Sequence, residues 1–237
     1  MKVSSTVVQN NFGKYLKIAD AEDVVVTRNG KDIARIVSCD GDSYINEEAL
    51  EYNIGGKPPV SYEEFIAMSE NSELRYELID GDLYLLASPG FKHQIAVTRI
   101  SKYFSNWFEG KKCIPLTSPF DVTLIKSKEN INVVQPDIMV ICDTDMVDDN
   151  DRYKGVPSLV VEVLSPSTRS KDMIRKLDLY RVTGVSEYWM VDVDKKVIHV
   201  YQFKEYSIAD YQIFTNADTA ESSVFKGLKV SLQDVFS

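Results

Sequence analysis

Leu159-Val160-Val161-Glu162-Val163-Leu164 is the stretch that decides the fold. Five of its six residues are apolar, which is what a strand buried on both faces requires, since such strands lose the apolar/polar alternation of a half-exposed one. Its one carboxylate is out of place. An ionised Glu in that setting needs a cation, a set of strong donors or a raised pKa. Outward from this strand, an amphipathic stretch over about residues 170–183 predicts a helix, and β-rich runs at 187–192 and 197–203 predict two strands. Upstream lie runs at 114–116, 121–125 and 137–141. Before them, Ala96, Ile100, Tyr103, Phe104, Trp107 and Phe108 form a helical stripe over about 91–109 that stops at Gly110. Asp80-Gly81 between 76–79 and 83–87 is a hairpin signal, and Ser61 with Glu64 is a capping box for a short helix through Met68. The order is strands, helix, strands, helix, strands.

The second carboxylate of interest is Asp137. Pro136 cannot donate to a ladder and suits a strand start, so Asp137 falls at the mouth of a sheet strand. Two carboxylates at strand ends can share a hard divalent cation such as Mg2+, which takes one or two protein carboxylates and keeps several waters. Two readings stand side by side: a metal pair, or a Pro-Asp turn and a satisfied core acid. In the helix that follows, Asp172, Lys176 and Tyr180 recur at i, i+4 and i+8. With Met173, Leu177 and Tyr180 setting the buried face, Lys176 lies on its border and either leans toward the strand or closes a solvated pair with Asp172. His93, in phase with Ala96 and Ile100, is a helix-start or core histidine or a catalytic one; His199 belongs to an alternating strand.

The first forty residues read differently. Thr6 and Gln9 form a capping pattern, and Val8, Phe12, Leu16 and Ala19 predict a helix over about 6–20. Asn29-Gly30 between two β-rich runs predicts a hairpin. Forty residues are too few to close a core, so this unit is expected to dimerise or dock. Residues 38–60 lose periodicity and gather Gly41, Gly55, Gly56, Pro58 and Pro59, which marks a linker and divides the chain into residues 1–39, 40–60 and 61–237.

Composition limits the function. The 237 residues are 44% hydrophobic and 27% charged, an ordinary globular balance. With 27 Lys+Arg against 36 Asp+Glu, the net charge of -9 opposes unassisted adhesion to nucleic acid or an anionic membrane. No apolar run approaches the ~20 residues of a membrane span, and no signal-peptide stretch opens the chain. Cys39, Cys113 and Cys142 are odd in number, far apart and free of CxxC spacing, so neither a disulfide framework nor a zinc site is suggested, and a cytoplasmic location is expected. HExxH, GxSxG and GxGxxG are absent.

Val3-Ser4-Ser5-Thr6, Asn10-Asn11-Phe12-Gly13 and Val24-Val25-Val26-Thr27-Arg28-Asn29-Gly30-Lys31 resemble the N-terminal module of the prevent-host-death (Phd/YefM) antitoxin family. That resemblance implies a dimerisation and DNA-binding arm with contacts at Lys14, Lys17 and Arg28. A second resemblance spans about residues 60–205. Arg75-Tyr76-Glu77-Leu78-Ile79-Asp80-Gly81, Pro136-Asp137-Ile138, Val161 through Thr168, then Asp172, Lys176, Tyr180 and Gly184 through Asp192 resemble the Uma-two endonuclease family, a branch of the PD-(D/E)XK restriction-endonuclease-like superfamily. It implies an α/β restriction-endonuclease-like core with a central mixed sheet flanked by helices. It also implies Mg2+, with Mn2+ as the alternative ion, at Asp137 and Glu162, and phosphodiester hydrolysis by a metal-activated water. Glu77 matches the family's Tyr-Glu position and His93 its helix-opening histidine. One departure stands out: the superfamily places Lys two residues after the acid, where this chain has Leu164, so Lys176 is expected to replace it. Lys171, Arg175 and Arg181, near Arg169, are expected to add a basic helix for backbone contact. The expected activity is therefore a metal-dependent endonuclease acting on nucleic acid, DNA first, as a homo-oligomer. A catalytically silent DNA-binding regulator and a structural scaffold are the rival readings.

Overall fold

The computed structural model describes residues 2–10, 15, 18–19, 24–28, 31–36, 59–165, 169, 171–215 and 217–237. The chain divides into two compact units, Met1–Asn46 and Glu47–Ser237. In the first, β1 (Lys2–Ser4) runs into α1 (Ser5–Asn10), and β2 (Val24–Arg28) pairs parallel with β1 and antiparallel with β3 (Lys31–Ile36). Val8, Tyr15, Ala19, Val24 and Val26 are buried together. Val8 thus packs against side chains of its own unit. Phe12, Lys14, Leu16, Lys17, the Asn29-Gly30 turn, Cys39 and most of the linker lie outside the described residues, as do the side chains of Thr6 and Gln9.

In the second unit, α2 (Tyr62–Ser69) starts at the capping box: Glu64 N donates to Ser61 Oγ at 3.2 Å, and Ser61 N to Glu64 Oε2 at 2.8 Å. β4 (Tyr76–Ile79) and β5 (Asp82–Leu85) turn at Asp80 and Gly81, both at positive φ. A Cβ on Gly81 would lie 2.5 Å from Pro59 Cβ, so only glycine fits there. Helix α3 (Phe91–Phe108) buries Ala96, Ile100, Phe104 and Phe108, the stripe read from sequence. Then come β6 (Ile114–Thr117), β7 (Val122–Ser127), β8 (Asn130–Val134), β9 (Ile138–Ile141) and β10 (Leu159–Leu164), every residue of β10 being buried. A π-helical turn (Lys171–Lys176) leads into α4 (Leu177–Thr183), then β11 (Glu187–Asp192) and β12 (Val197–Lys204). β13 (Ser207–Thr215), β14 (Thr219–Glu221), β15 (Lys229–Ser231) and α5 (Leu232–Val235) complete the chain. Strand β8 and everything after β12 went unread in the sequence.

The main sheet is mixed, in the order β13-β12-β11-β10-β9-β6, with β10 and β11 parallel and the other pairs antiparallel. A second sheet has the order β5-β4-β8-β7. Val161, Val163, Trp189 and Val191 pack on one face of the main sheet against α3, while Val160, Leu164, Tyr188 and Met190 pack on the other with Leu179 and Tyr180 of α4. Both faces of β10 are therefore covered, as its apolar run required. No helix among the described residues is long and apolar enough to cross a membrane.

The cysteine reading needs correction: Cys113 and Cys142 form a disulfide. They adjoin the register pair Ile114↔Ile141 of the antiparallel strands β6 and β9, which sets their Cα atoms 4.1 Å apart across a separation of 29 residues that sequence spacing could not bridge.

Candidate active site

Register brings the two carboxylates together. β9 and β10 pair with Val161 opposite Ile138, so Asp137 and Glu162 are the residues that follow that pair on the two chains, at the end of the ladder. Asp137 stands just before β9, where it is locked in place: its Oδ2 accepts from Val163 N at 2.8 Å and lies 3.1 Å from His93 Nε2, in the first turn of α3. Glu162 alternates away from Val161 and Val163 and so meets the helical layer opposite α3. There its Oε1 accepts from Lys176 Nζ and from Tyr180 OH, each at 2.7 Å.

Glu77 reaches the same place from β4. Its Oε1 accepts from Gln135 N at 2.9 Å and from Lys176 Nζ at 2.8 Å, and its Oε2 accepts from Lys171 Nζ at 2.7 Å. Glu77 is fully buried, and Lys171 and Lys176 nearly so. The π-helical turn makes this possible. In an α-helix, positions five apart are about 140° apart around the axis, on different faces; the wider π turn, with its i→i+5 spacing, lets Lys171 and Lys176 converge on the two oxygens of one carboxylate. Asp172 Oδ1 is 3.7 Å from Lys176 Nζ, and its backbone oxygen accepts from Tyr188 OH at 3.2 Å.

Sequence periodicity assumed an α-helix throughout 170–183, and one expectation fails with it: Met173 is exposed and does not belong to the buried face. Of the basic residues expected to meet phosphate, Lys171 is buried on Glu77, while Arg169 pairs with Asp192 at 2.7 Å, Arg175 lies 3.6 Å from Asp82 and Arg181 pairs with Asp178 at 2.6 Å, the last two half-exposed. The structure brings Asp137, Glu162, Lys176, Glu77 and His93 into one cluster. Sequence reasoning placed Lys171 in the basic helix for phosphate contact; its partner Glu77 is 94 residues away, beyond what sequence spacing can show.

The cluster is electrostatically unbalanced. With all four acids ionised, Glu77, Asp137, Glu162 and Asp172 would carry two more charges than Lys171 and Lys176 supply, and the cluster answers this by favouring a proton on Glu162. Burial alone raises the Glu77 pKa, but Lys176 and Lys171 outweigh it and hold the carboxyl down at about 2. Burial pushes Glu162 up to about 8; Lys176 opposes this, while Asp172, Asp137 and Glu77 add to it. Burial also disfavours a charged Lys176, yet Glu162, Glu77 and Asp172 together keep it protonated above the ordinary lysine range. The same balance operates at His93: burial lowers its pKa, and the bond and charge of Asp137 with the charge of Asp172 raise it on balance.

Asp137 Oδ1 and Glu162 Oε2 carry no hydrogen bond among the described residues. Among those residues no group of three His, Cys, Asp or Glu side chains is placed to hold a metal ion. Two open carboxylate oxygens completed by water are the donor set that Mg2+ accepts, whereas a structural zinc site takes four protein ligands. The residues fit the hard ion.

The Uma2 family model, described as "putative restriction endonuclease", matches residues 62–233. The "Uncharacterized protein slr1290" of Synechocystis sp. is 30% identical over 149 residues, covering 61% of this chain and 74% of that protein. The crystal structure of "a putative nuclease belonging to DUF820" from Anabaena variabilis superposes with a TM-score of 0.62 at 19% identity, covering 75% of this chain and 98% of that one. At that identity the likeness shows a shared fold, the α/β core of a central mixed sheet between helical layers.

Proposed function

The chain belongs to the Uma2 family of restriction-endonuclease-like proteins, and from that premise we propose that it is a Mg2+-dependent endonuclease hydrolysing phosphodiester bonds in nucleic acid, DNA first. The observation that carries the reading is Asp137 and Glu162 at the end of the β9–β10 ladder, each with one oxygen unbonded among the described residues, beside a buried lysine. These two residues would hold the ion; Mn2+ fits the same oxygens. When bound, it supplies a water of lowered pKa and a counter-charge for the phosphate.

The remaining steps belong to the protein's own side chains. His93 and Val163 N fix the Asp137 carboxylate through Oδ2, leaving Oδ1 for the ion. Tyr180 and Lys176 do the same for Glu162 through Oε1. Lys176 spends two donors on Glu162 and Glu77, and its contact with Asp172 at 3.7 Å is too long for a hydrogen bond. The third donor is thus available to orient the attacking water or offset charge on the phosphoryl oxygens. Glu77 has both oxygens bonded, so its role is to keep Lys171 and Lys176 charged and placed. A bound divalent ion would take the place of the proton that burial favours on Glu162 and would answer the net charge of -9 where phosphates must approach.

A silent regulator or scaffold accounts poorly for this centre. Buried ion clusters contribute little net stability compared with well-packed apolar side chains, so a purely structural role gives no reason for six charged groups here. The test is cleavage of plasmid DNA with Mg2+ or Mn2+ by wild type, Asp137→Asn and Glu162→Gln, with calorimetric Mn2+ binding in parallel. Loss of both signals in both variants, with unchanged circular dichroism, is expected. Cleavage that persists in chelator or in either variant refutes the assignment.

A further inference from the structure

β13 is the last strand of the six-stranded sheet, and its outer edge is bare. Eight of its nine residues are exposed, Phe214 being the exception, and of the backbone groups facing away from β12 only those of Thr215, bonded to Asp218 N and Oδ2, have a partner among the described residues. A strand of this length offers a row of donors and acceptors about 30 Å long. Natural edges are normally blunted by Lys, Pro, a bulge or a covering element. β13 contains no Lys, Arg or Pro, and its single charge is Asp210. Its one bulge is at Ala209, between Ile208 opposite Phe203 and Asp210 opposite Gln202, so the bulge stands near one end and residues from Asp210 to Thr215 run in unbroken register with β12. On one face Ile208, Tyr211 and Ile213 are 48, 42 and 51% exposed. The Tyr211 ring is held on the sheet by stacking on Tyr201 at 4.5 Å and by a 2.7 Å hydrogen bond with His199 Nδ1.

We propose that β13 is a dimerisation edge, on which a second copy of this chain pairs its own β13 antiparallel about a two-fold axis at Tyr211, joining two six-stranded sheets into one. The occupant follows from the sequence of the strand. With Tyr211 on the axis, Asp210 of each copy lies opposite Gln212 of the other and Ala209 opposite Ile213, so no carboxylate meets a carboxylate. Gln212 Nε2 already donates to Asp210 Oδ2 at 2.7 Å within the strand, and pairing exchanges that bond for its equivalent across the axis. Tyr211 meets Tyr211 of the second copy, and Ile208 and Ile213 of both chains gather beside them in one apolar stripe. A nucleic-acid strand would find Asp210 and no cation here, and a charged peptide would find no counter-charge beyond that one carboxylate. The strand complements itself better than either.

Like charges directly opposed across strands are unfavourable and unlike ones favourable, which gives a test specific to this register. Sedimentation equilibrium of the full-length chain, without nucleic acid or divalent metal, should show a dimer at concentrations on the order of 100 μM. Gln212→Asp opposes two carboxylates twice per dimer and should raise Kd about tenfold. Asp210→Lys combined with Gln212→Asp opposes unlike charges and should return Kd to within about threefold of wild type. Both positions are exposed, and circular dichroism checks that each variant is folded. A monomeric wild type overturns the proposal. So does a dimer indifferent to Gln212→Asp, which would place the contact elsewhere, residues 1–39 included. A double variant that stays dissociated overturns the register.

Discussion

Replacing Lys176 with methionine keeps most of the side-chain volume and removes one charge from a cluster that has too few positive ones. Its Nζ lies 2.7 Å from Glu162 Oε1 and 2.8 Å from Glu77 Oε1. At an effective dielectric near 20, each contact corresponds to roughly 6 kcal/mol of attraction. Most of that offsets the desolvation of the charges themselves, and removing one partner of a buried pair typically costs about 3–5 kcal/mol. For a domain of this size the loss lowers Tm by about 6–20 °C. The variant then holds four acids against Lys171 alone, so added Mg2+ or Mn2+ should recover more Tm in Lys176→Met than it adds to wild type, because the ion replaces the missing charge. Below the variant's transition, cleavage should fall by about 100-fold or more if the third donor of Lys176 serves the reacting phosphate. Differential scanning fluorimetry across a metal titration, with plasmid cleavage at a temperature where both proteins are folded, reads both effects. A Tm within about 2 °C of wild type, or a metal response no larger than wild type's, would refute the charge balance drawn here.

The two ends of β11 should respond to pH with opposite sign. Burial raises the Asp192 carboxyl, but Arg169 and Lys195 N outweigh it and depress its pKa, so its stabilisation is present above the unfolded value of about 3.9 and is lost as pH falls through the lower folded value; Asp192→Asn should flatten the acid limb of the urea-denaturation profile. Burial raises the Glu187 carboxyl against the bonds from Trp189 and the backbone of Val224 and Ser223. Its neutral form is therefore favoured by folding, and the contribution present below about 4.3 is lost as pH rises through the folded value; the slope in that window should vanish in Glu187→Gln. If the first unit contacts DNA, as its resemblance implies, Arg28→Ala should weaken binding and reduce the slope of log K against log salt by about 1, measured by fluorescence anisotropy, while leaving cleavage of saturating substrate unchanged.

How much of this was legible in the sequence depended on whether the deciding contact was local. β10 could be read end to end because burial on both faces leaves an uninterrupted apolar run, and α3 because its stripe is helical and Gly110 stops it. β8 reads Asn130-Ile131-Asn132-Val133-Val134, and its polar Asn132 looks like loop chemistry until its side chain is seen accepting from Asp80 N and donating to Leu124 O. The hairpin into β13 turns at Glu205 and Tyr206, both at positive φ without an Asn or Gly to announce it, so the strand behind it was missed. The π turn was invisible for another reason. Lys171 through Lys176 carry the i, i+4 spacing of an ordinary helix, and only Glu77, from a strand far back in the chain, accounts for both lysines facing inward.

Depth in the cluster separates the acids by task. Glu77, fully buried, has both oxygens engaged, by Lys171 and by Lys176 with Gln135 N, and stays ionised because the two lysine charges flank it. Glu162 and Asp137 lie nearer the opening, with side chains 5 and 19% exposed, and each uses one oxygen for its neighbours. An acid whose oxygens are all bonded can serve only as a counter-ion, whereas an acid with one open oxygen can take a ligand without breaking anything. His93 extends the same logic: Nε2 is committed to Asp137 while Nδ1, buried, has no partner. The open atoms of the cluster are thus one oxygen on each of two carboxylates at the end of the ladder and one lysine donor, and these are the groups that a hydrated divalent ion and a phosphate diester would engage.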